Sequence, residues 1–146
     1  RATVDFDFIV EAAKLARVLA NLRERFGGLD EEDIGAAVRL RAIDVDLIRS
    51  SNHALFHEAM VRAEPHGSWQ VPPAEVMVVL KFLAVVSPWQ NRDKKLHDMG
   101  DLRRVYTTVT PERRTMMELA ALVYPEAEHE LERLLDKIDR GDPIAV

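Results

Sequence analysis

Three aspartates stand at a spacing that allows metal chemistry. Asp5 and Asp7 are two residues apart in Val4-Asp5-Phe6-Asp7-Phe8, and Asp46 lies in Val45-Asp46-Leu47-Ile48. In an extended chain, residues two apart project from one face, about 7 Å apart at Cα. Carboxylates so spaced can converge on one hard cation, and Asp46 adds a third if its strand is a neighbour. Mg²⁺ takes oxygen ligands in octahedral geometry and usually combines one or two carboxylates with waters and substrate phosphates. Such a set belongs to phosphoryl transfer, where metal ions clamp the attacking and leaving oxygens. The same alternation also describes the solvent face of a half-buried strand, so spacing leaves both readings open.

The elements that must position these acids follow from periodicity. Residues 4–8 alternate apolar and acidic, with Val4, Phe6 and Phe8 on the face opposite the two aspartates, which predicts a strand. From Ala12 the period becomes that of a helix, through Leu15, Val18, Leu19, Leu22 and Phe26, closed by Gly27-Gly28. Asp30 is placed to cap a short turn at Glu31-Glu32. Beyond Gly35, residues 37–41 and 44–48 form two extended arms that read as an antiparallel pair. A continuous helix over 31–63 competes, since Ala, Leu and Arg are good helix formers. A helix over 52–63 is stopped by Pro65-His66-Gly67, and Trp69-Gln70-Val71 is a short extended piece. Helices follow over 74–86, 94–106, 111–123 and 125–138. The expected class is α/β (α+β), a small mixed sheet with a C-terminal helical bundle. Residues 1–71 hold the sheet and its helices, and residues 72–146 form a helical portion packed on it.

Composition excludes several alternatives. The chain has 146 residues, with 20 Lys+Arg against 25 Asp+Glu for a net charge of -5. That disfavours sequence-blind adhesion to nucleic acid while leaving room for a local basic patch. Cys is absent, which removes disulfides, thiolate metal sites and cysteine nucleophiles together. The most apolar run, residues 76–86, is too short to span a bilayer and is broken by Lys81. No membrane partner is therefore expected, and the absence of targeting signals predicts a cytoplasmic location.

Arg1-Ala2-Thr3-Val4-Asp5-Phe6-Asp7 resembles the Arg-x-Thr-x-Asp-x-Asp strand of polymerase-β-like nucleotidyltransferases. The order that follows is also similar: a helix, a strand pair carrying Asp46, and a helix ending Met60-Val61-Arg62-Ala63. The stretch Glu75-Val76-Met77-Val78-Val79-Leu80-Lys81-Phe82-Leu83-Ala84 resembles the Lys-bearing helix of the abortive-infection-type toxin branch. Residues 92–102, with Asp98 and Asp101, are similar to that branch's Lys-Asp-x-x-Asp-Leu segment, although His97 stands where Lys is common. The resemblance runs from Arg1 to about Tyr106 and rests on five weak motifs in the right order.

It implies a nucleotidyltransferase in which Asp5 and Asp7 hold Mg²⁺ and Asp46 joins them, helping to activate the acceptor hydroxyl. Lys81 would reach the nucleotide's phosphates, with Asp98 or Asp101 supporting the nucleotide pocket. The implied partners are a nucleoside triphosphate, RNA or tRNA as acceptor, and a cognate antitoxin. The family places a Gly-Gly or Gly-Ser turn before the Asp-x-Asp strand, where close backbone approach cradles phosphate. Nothing precedes Arg1 in this sequence. Two expectations follow: the turn lies upstream, or the protein is a catalytically degenerate module of the same fold.

Other features have plainer readings. His53 and His57 at i,i+4 have zinc-binding spacing but no third ligand, so a structural or exposed pair is expected. Arg92 and His97 have the Arg-x4-His spacing of HEPN-type ribonucleases, which are all-helical. Arg103-Arg104 and Arg113-Arg114 flank the 107–111 loop and could touch RNA phosphates, or form a solvated face. Glu126, Glu128, Glu130 and Glu132 read as helix surface.

Overall fold

The computed structural model describes residues 6–144 and divides into two compact units, Arg1–Met60 and Val61–Val146. The fold is mixed α+β, as the sequence predicts.

The first unit begins with strand β1 (Phe6–Val10), followed by helix α1 (Leu15–Phe26). Strands β2 (Glu31–Asp33), β3 (Ala37–Leu40) and β4 (Val45–Arg49) come next, and helix α2 (Ala54–Val61) reaches the unit boundary. The sheet order is β1-β4-β3-β2, with β1 parallel to β4 and the other neighbours antiparallel. The expected antiparallel pair is β3–β4. Its connection passes through a short 3-10 turn and Asp44, whose φ of 52° lies in the left-handed region that Asp tolerates better than most residues.

Alternation along the strands separates the two faces of the sheet. Phe8, Val10, Val38, Leu40, Val45 and Leu47 pack with Leu15, Val18, Leu19 and Leu22 of α1. Leu40 is wholly buried, and each fully buried aliphatic side chain contributes roughly 1.5–3 kcal/mol. The apolar stripe that predicts α1 is the stripe that covers the sheet.

Strand β2 corrects the expectation of a turn at Glu31-Glu32. Glu, Glu and Asp are poor strand residues, so tertiary contacts decide the outcome. Each acid has an arginine: Arg23 of α1 grips Glu31 through two bonds of 2.6 Å, Arg41 binds Glu32, and Arg49 of β4 binds Asp33 at 2.7 and 3.0 Å. Arg23 holds the Glu31 carboxyl below its ordinary range, and Arg49 together with the Gly35 amide does the same for Asp33. Gly35, with φ at +82°, makes the turn into β3.

The second unit opens with a hairpin, β5 (Glu64–His66) and β6 (Trp69–Val71), turned at Gly67 with φ +64°. Residues 64–66 are therefore a strand, and the preceding helix ends at Val61, two residues short of the expected 63. Four helices follow: α3 (Ala74–Val86), α4 (Arg92–Val109), α5 (Arg113–Ala120) and α6 (Ala127–Arg140). Helix α3 is apolar on nearly every side and packs chiefly against α4. Asn91 caps α4 by accepting the Lys94 amide at 2.9 Å. Helix α6 turns Leu131, Leu135 and Ile138 inward and ends at Gly141 in the left-handed conformation. Arg113 ties three helices together, bonding Asp136 at 2.8 Å, Asp139 at 2.7 Å and the Tyr106 hydroxyl at 3.2 Å. Those bonds, Tyr106 and Asp136 foremost, hold its guanidinium above its ordinary pKa.

Candidate functional site

The parallel register of β1 and β4 sets Asp7 opposite Asp46. The antiparallel registers then set Arg39 opposite Asp46 and Glu32 opposite Arg39. Paired residues on neighbouring strands point to the same side, so one charged row crosses all four strands: Asp7, Asp46, Arg39, Glu32. It lies on the face turned away from α1, because every member alternates with a residue of the α1-facing core or its margin.

Arg39 grips Asp46 in a fork, Nε to Oδ1 at 3.0 Å and Nη2 to Oδ2 at 3.1 Å. A planar guanidinium matches a carboxylate in this way and fixes its orientation. The Asp46 side chain keeps 22% of its exposure and Arg39 keeps 37%, so solvent reaches the pair. Asp7 is exposed. Asp5 lies outside the described residues. Arg39 was not a candidate by sequence; only the register shows that it shares a face with Asp46.

The donors in this row suit a hard divalent cation. Asp7 and Asp46 offer carboxylate oxygens on adjacent strands, and Mg²⁺ sites ordinarily use one or two such groups. A cation would share Asp46 with Arg39 or displace it. Among the described residues, no group of three His, Asp or Glu side chains is arranged to hold a metal.

The second unit brings together the other three predicted residues. Lys81 Nζ lies 2.7 Å from Asp98 Oδ1 and 3.3 Å from Asp101 Oδ2, and the Gln90 amide donates to the second oxygen of Asp98. Asp98 and Asp101 are i,i+3 on α4 and so share a flank. Lys81 is the one basic residue of a largely apolar helix, and the α4 carboxylates receive its ammonium at the helix seam. Burial lowers its pKa, but the bonds and charges of Asp98 and then Asp101 more than offset this, leaving the ammonium above its ordinary value. Gln90, in the turn before α4, carries no periodic signal that would have marked it.

The remaining candidates disperse. His53 precedes α2, where its Nδ1 accepts the Leu55 amide at 3.0 Å and its ring meets Phe56 edge-on, while His57 is exposed. Arg92 and His97 are both exposed on α4, about 140° apart around its axis. The four-stranded sheet does not fit an all-helical ribonuclease. Arg113 is committed to its carboxylates and Arg114 pairs with Glu118 at 3.1 Å, whereas Arg103 and Arg104 face solvent. Comparison with protein-family models, curated proteins and solved structures finds no match to this chain.

Proposed function

We propose that this protein transfers a nucleoside monophosphate from a triphosphate to an acceptor hydroxyl, breaking the α–β phosphoanhydride bond and releasing pyrophosphate, as a Mg²⁺-dependent nucleotidyltransferase. RNA, tRNA included, is the acceptor class, in a toxin–antitoxin or phage-defence setting within the cytoplasm. The observation that carries the proposal is the in-register pairing of Asp7 with Asp46 on one sheet face. Among the described residues, no helix is long and apolar enough to cross a membrane.

Bound Mg²⁺ would supply charge neutralisation of the phosphates, the dominant need of phosphoryl transfer. Asp7 and Asp46 would hold it together with Asp5. Asp46 would also accept a hydrogen bond from the acceptor hydroxyl and draw its proton away from the attacking oxygen. Arg39 orients Asp46 and keeps its carboxylate balanced by a positive charge. In the second unit, taken by itself, the resemblance alone gives Lys81, Asp98 and Asp101 a nucleotide-binding role. For Lys81 to meet a phosphate, its ammonium must trade one carboxylate for it, which a point charge with three rotatable donors can do.

Arg39 favours a second reading. A carboxylate that already has a bidentate counter-ion needs no metal, as expected of a binding module that keeps the fold without catalysis.

Labelled triphosphates incubated with the full chain, Mg²⁺ and RNA acceptors test the first reading. Transfer is expected, reduced roughly 10²–10³-fold in Asp7→Ala and in Asp46→Ala. Undiminished transfer in either variant overturns it, and the absence of both transfer and Mn²⁺ binding supports the second reading.

A further inference from the structure

Helix α4 buries Met99, Leu102 and Tyr106 on one side. An exposed flank of the helix, next to that buried stripe, presents Arg92, Leu96, Gly100, Arg103 and Thr107, spaced four, four, three and four residues apart, with Arg104 at its outer margin. All are exposed, Leu96 at 47%. That spacing is one straight ridge along the helix.

Gly100 is the unusual member. It sits in the middle of an 18-residue helix, where Gly is less stable than Ala. Its φ is not left-handed, and a Cβ built there meets nothing within 4 Å. The described fold gives no steric reason for it. A small residue on an open helix face lets another backbone approach closely. Arg92 and Arg103 lie about 16 Å apart along the axis, at either end of Leu96 and Gly100. None of Arg92, Arg103 and Arg104 forms an ion pair among the described residues. Asp93 flanks the ridge as its acidic neighbour.

We infer that this ridge docks an acidic amphipathic helix of a partner protein, its apolar stripe over Leu96 and Gly100 and its carboxylates against the arginines. An apolar centre with a charged margin is the anatomy of a protein interface, and arginine rather than lysine is the cation enriched there. A nucleic acid would meet the arginines with its phosphates, but the ridge residues include no Phe, Tyr or Trp on which its bases could stack. The inference is independent of the proposed transfer reaction.

Fluorescence anisotropy with the full chain tests it, using a labelled Glu/Leu amphipathic helical peptide and a labelled oligouridylate. The peptide is expected to bind in a salt-dependent manner, and about tenfold more weakly in Gly100→Leu and in Arg103→Glu/Arg104→Glu. Gly100→Ala is expected to raise Tm, which shows that the site tolerates a side chain without loss of fold. Arg25→Glu on α1 is the control and leaves binding unchanged. Peptide binding that survives Gly100→Leu, falls equally in Arg25→Glu, or is absent, whether or not oligouridylate binds, overturns the inference.

Discussion

Asp46 in the first unit and Asp98 in the second are each held by one cation, and their surroundings set them apart. Asp46 stands on an open sheet face, gripped by a planar fork, with Asp7 beside it on the next strand. Asp98 stands at a helix–helix seam at 17% exposure, bonded to Lys81 and Gln90. Arg39 can release Asp46 to solvent or to a competing cation at small cost, because water already shares the pair. Lys81 is shared by two carboxylates: withdrawing it leaves Asp98, at 17% exposure, and Asp101, at 47%, side by side on α4 without their cation. One unit therefore offers an exchangeable charge row, and the other a charge cluster that also holds two helices together.

The comparison breaks most decisively at Lys81. Lys81→Met is expected to lower unfolding stability by about 2–3 kcal/mol in urea titrations, with much of the loss restored by adding Asp98→Leu. Because the folded pKa of Lys81 is raised, its contribution is full below the ordinary value of 10.5 and disappears as pH rises through the folded value. A pH series should show this alkaline loss in the wild type and its attenuation in Lys81→Met. If both variants fall in parallel, the seam does not depend on that ammonium.

Arg39→Ala is the milder counterpart. It should cost about 0.5–1 kcal/mol, as expected for a half-exposed pair. By freeing Asp46 next to Asp7, it should tighten Mn²⁺ binding roughly 5-fold in calorimetry, a gain of about 1 kcal/mol. Weaker binding would make Arg39 a support for the cation site rather than its competitor. The smallest effect is spectroscopic. Burial and a hydrogen bond to Glu130 push the Tyr124 phenol up to about 12. Tyr124→Phe should remove the late phase of the ultraviolet pH titration with little change in stability.

Much of the frame was legible because it rests on local period. The alternation around Phe6 and Phe8, the α1 stripe, and the extended arm carrying Asp46 all reached the positions their patterns imply. The neighbourhood of Asp7 and Asp46 was conditional in the sequence, since period says which face a residue takes but not which strand lies alongside. Arg39 was hidden for the same reason: its role comes from strand register. Strand β2 was hidden by composition, because Glu31, Glu32 and Asp33 form a strand only once Arg23, Arg41 and Arg49 arrive from elsewhere in the chain. The Lys81 cluster was marked by resemblance, while its closure by Gln90 had no local signature.

The acid-lined border strand has a consequence for self-association. A sheet margin usually invites a foreign chain to add on, and proteins discourage this by placing charge along it. Here all three side chains of β2 are acidic and already clasped by arginines, so an incoming strand would meet a fence of engaged ions. Growth of the sheet is thereby barred on that side, and neutralising the fence with Gln and Asn would open the protein to stacking copy upon copy.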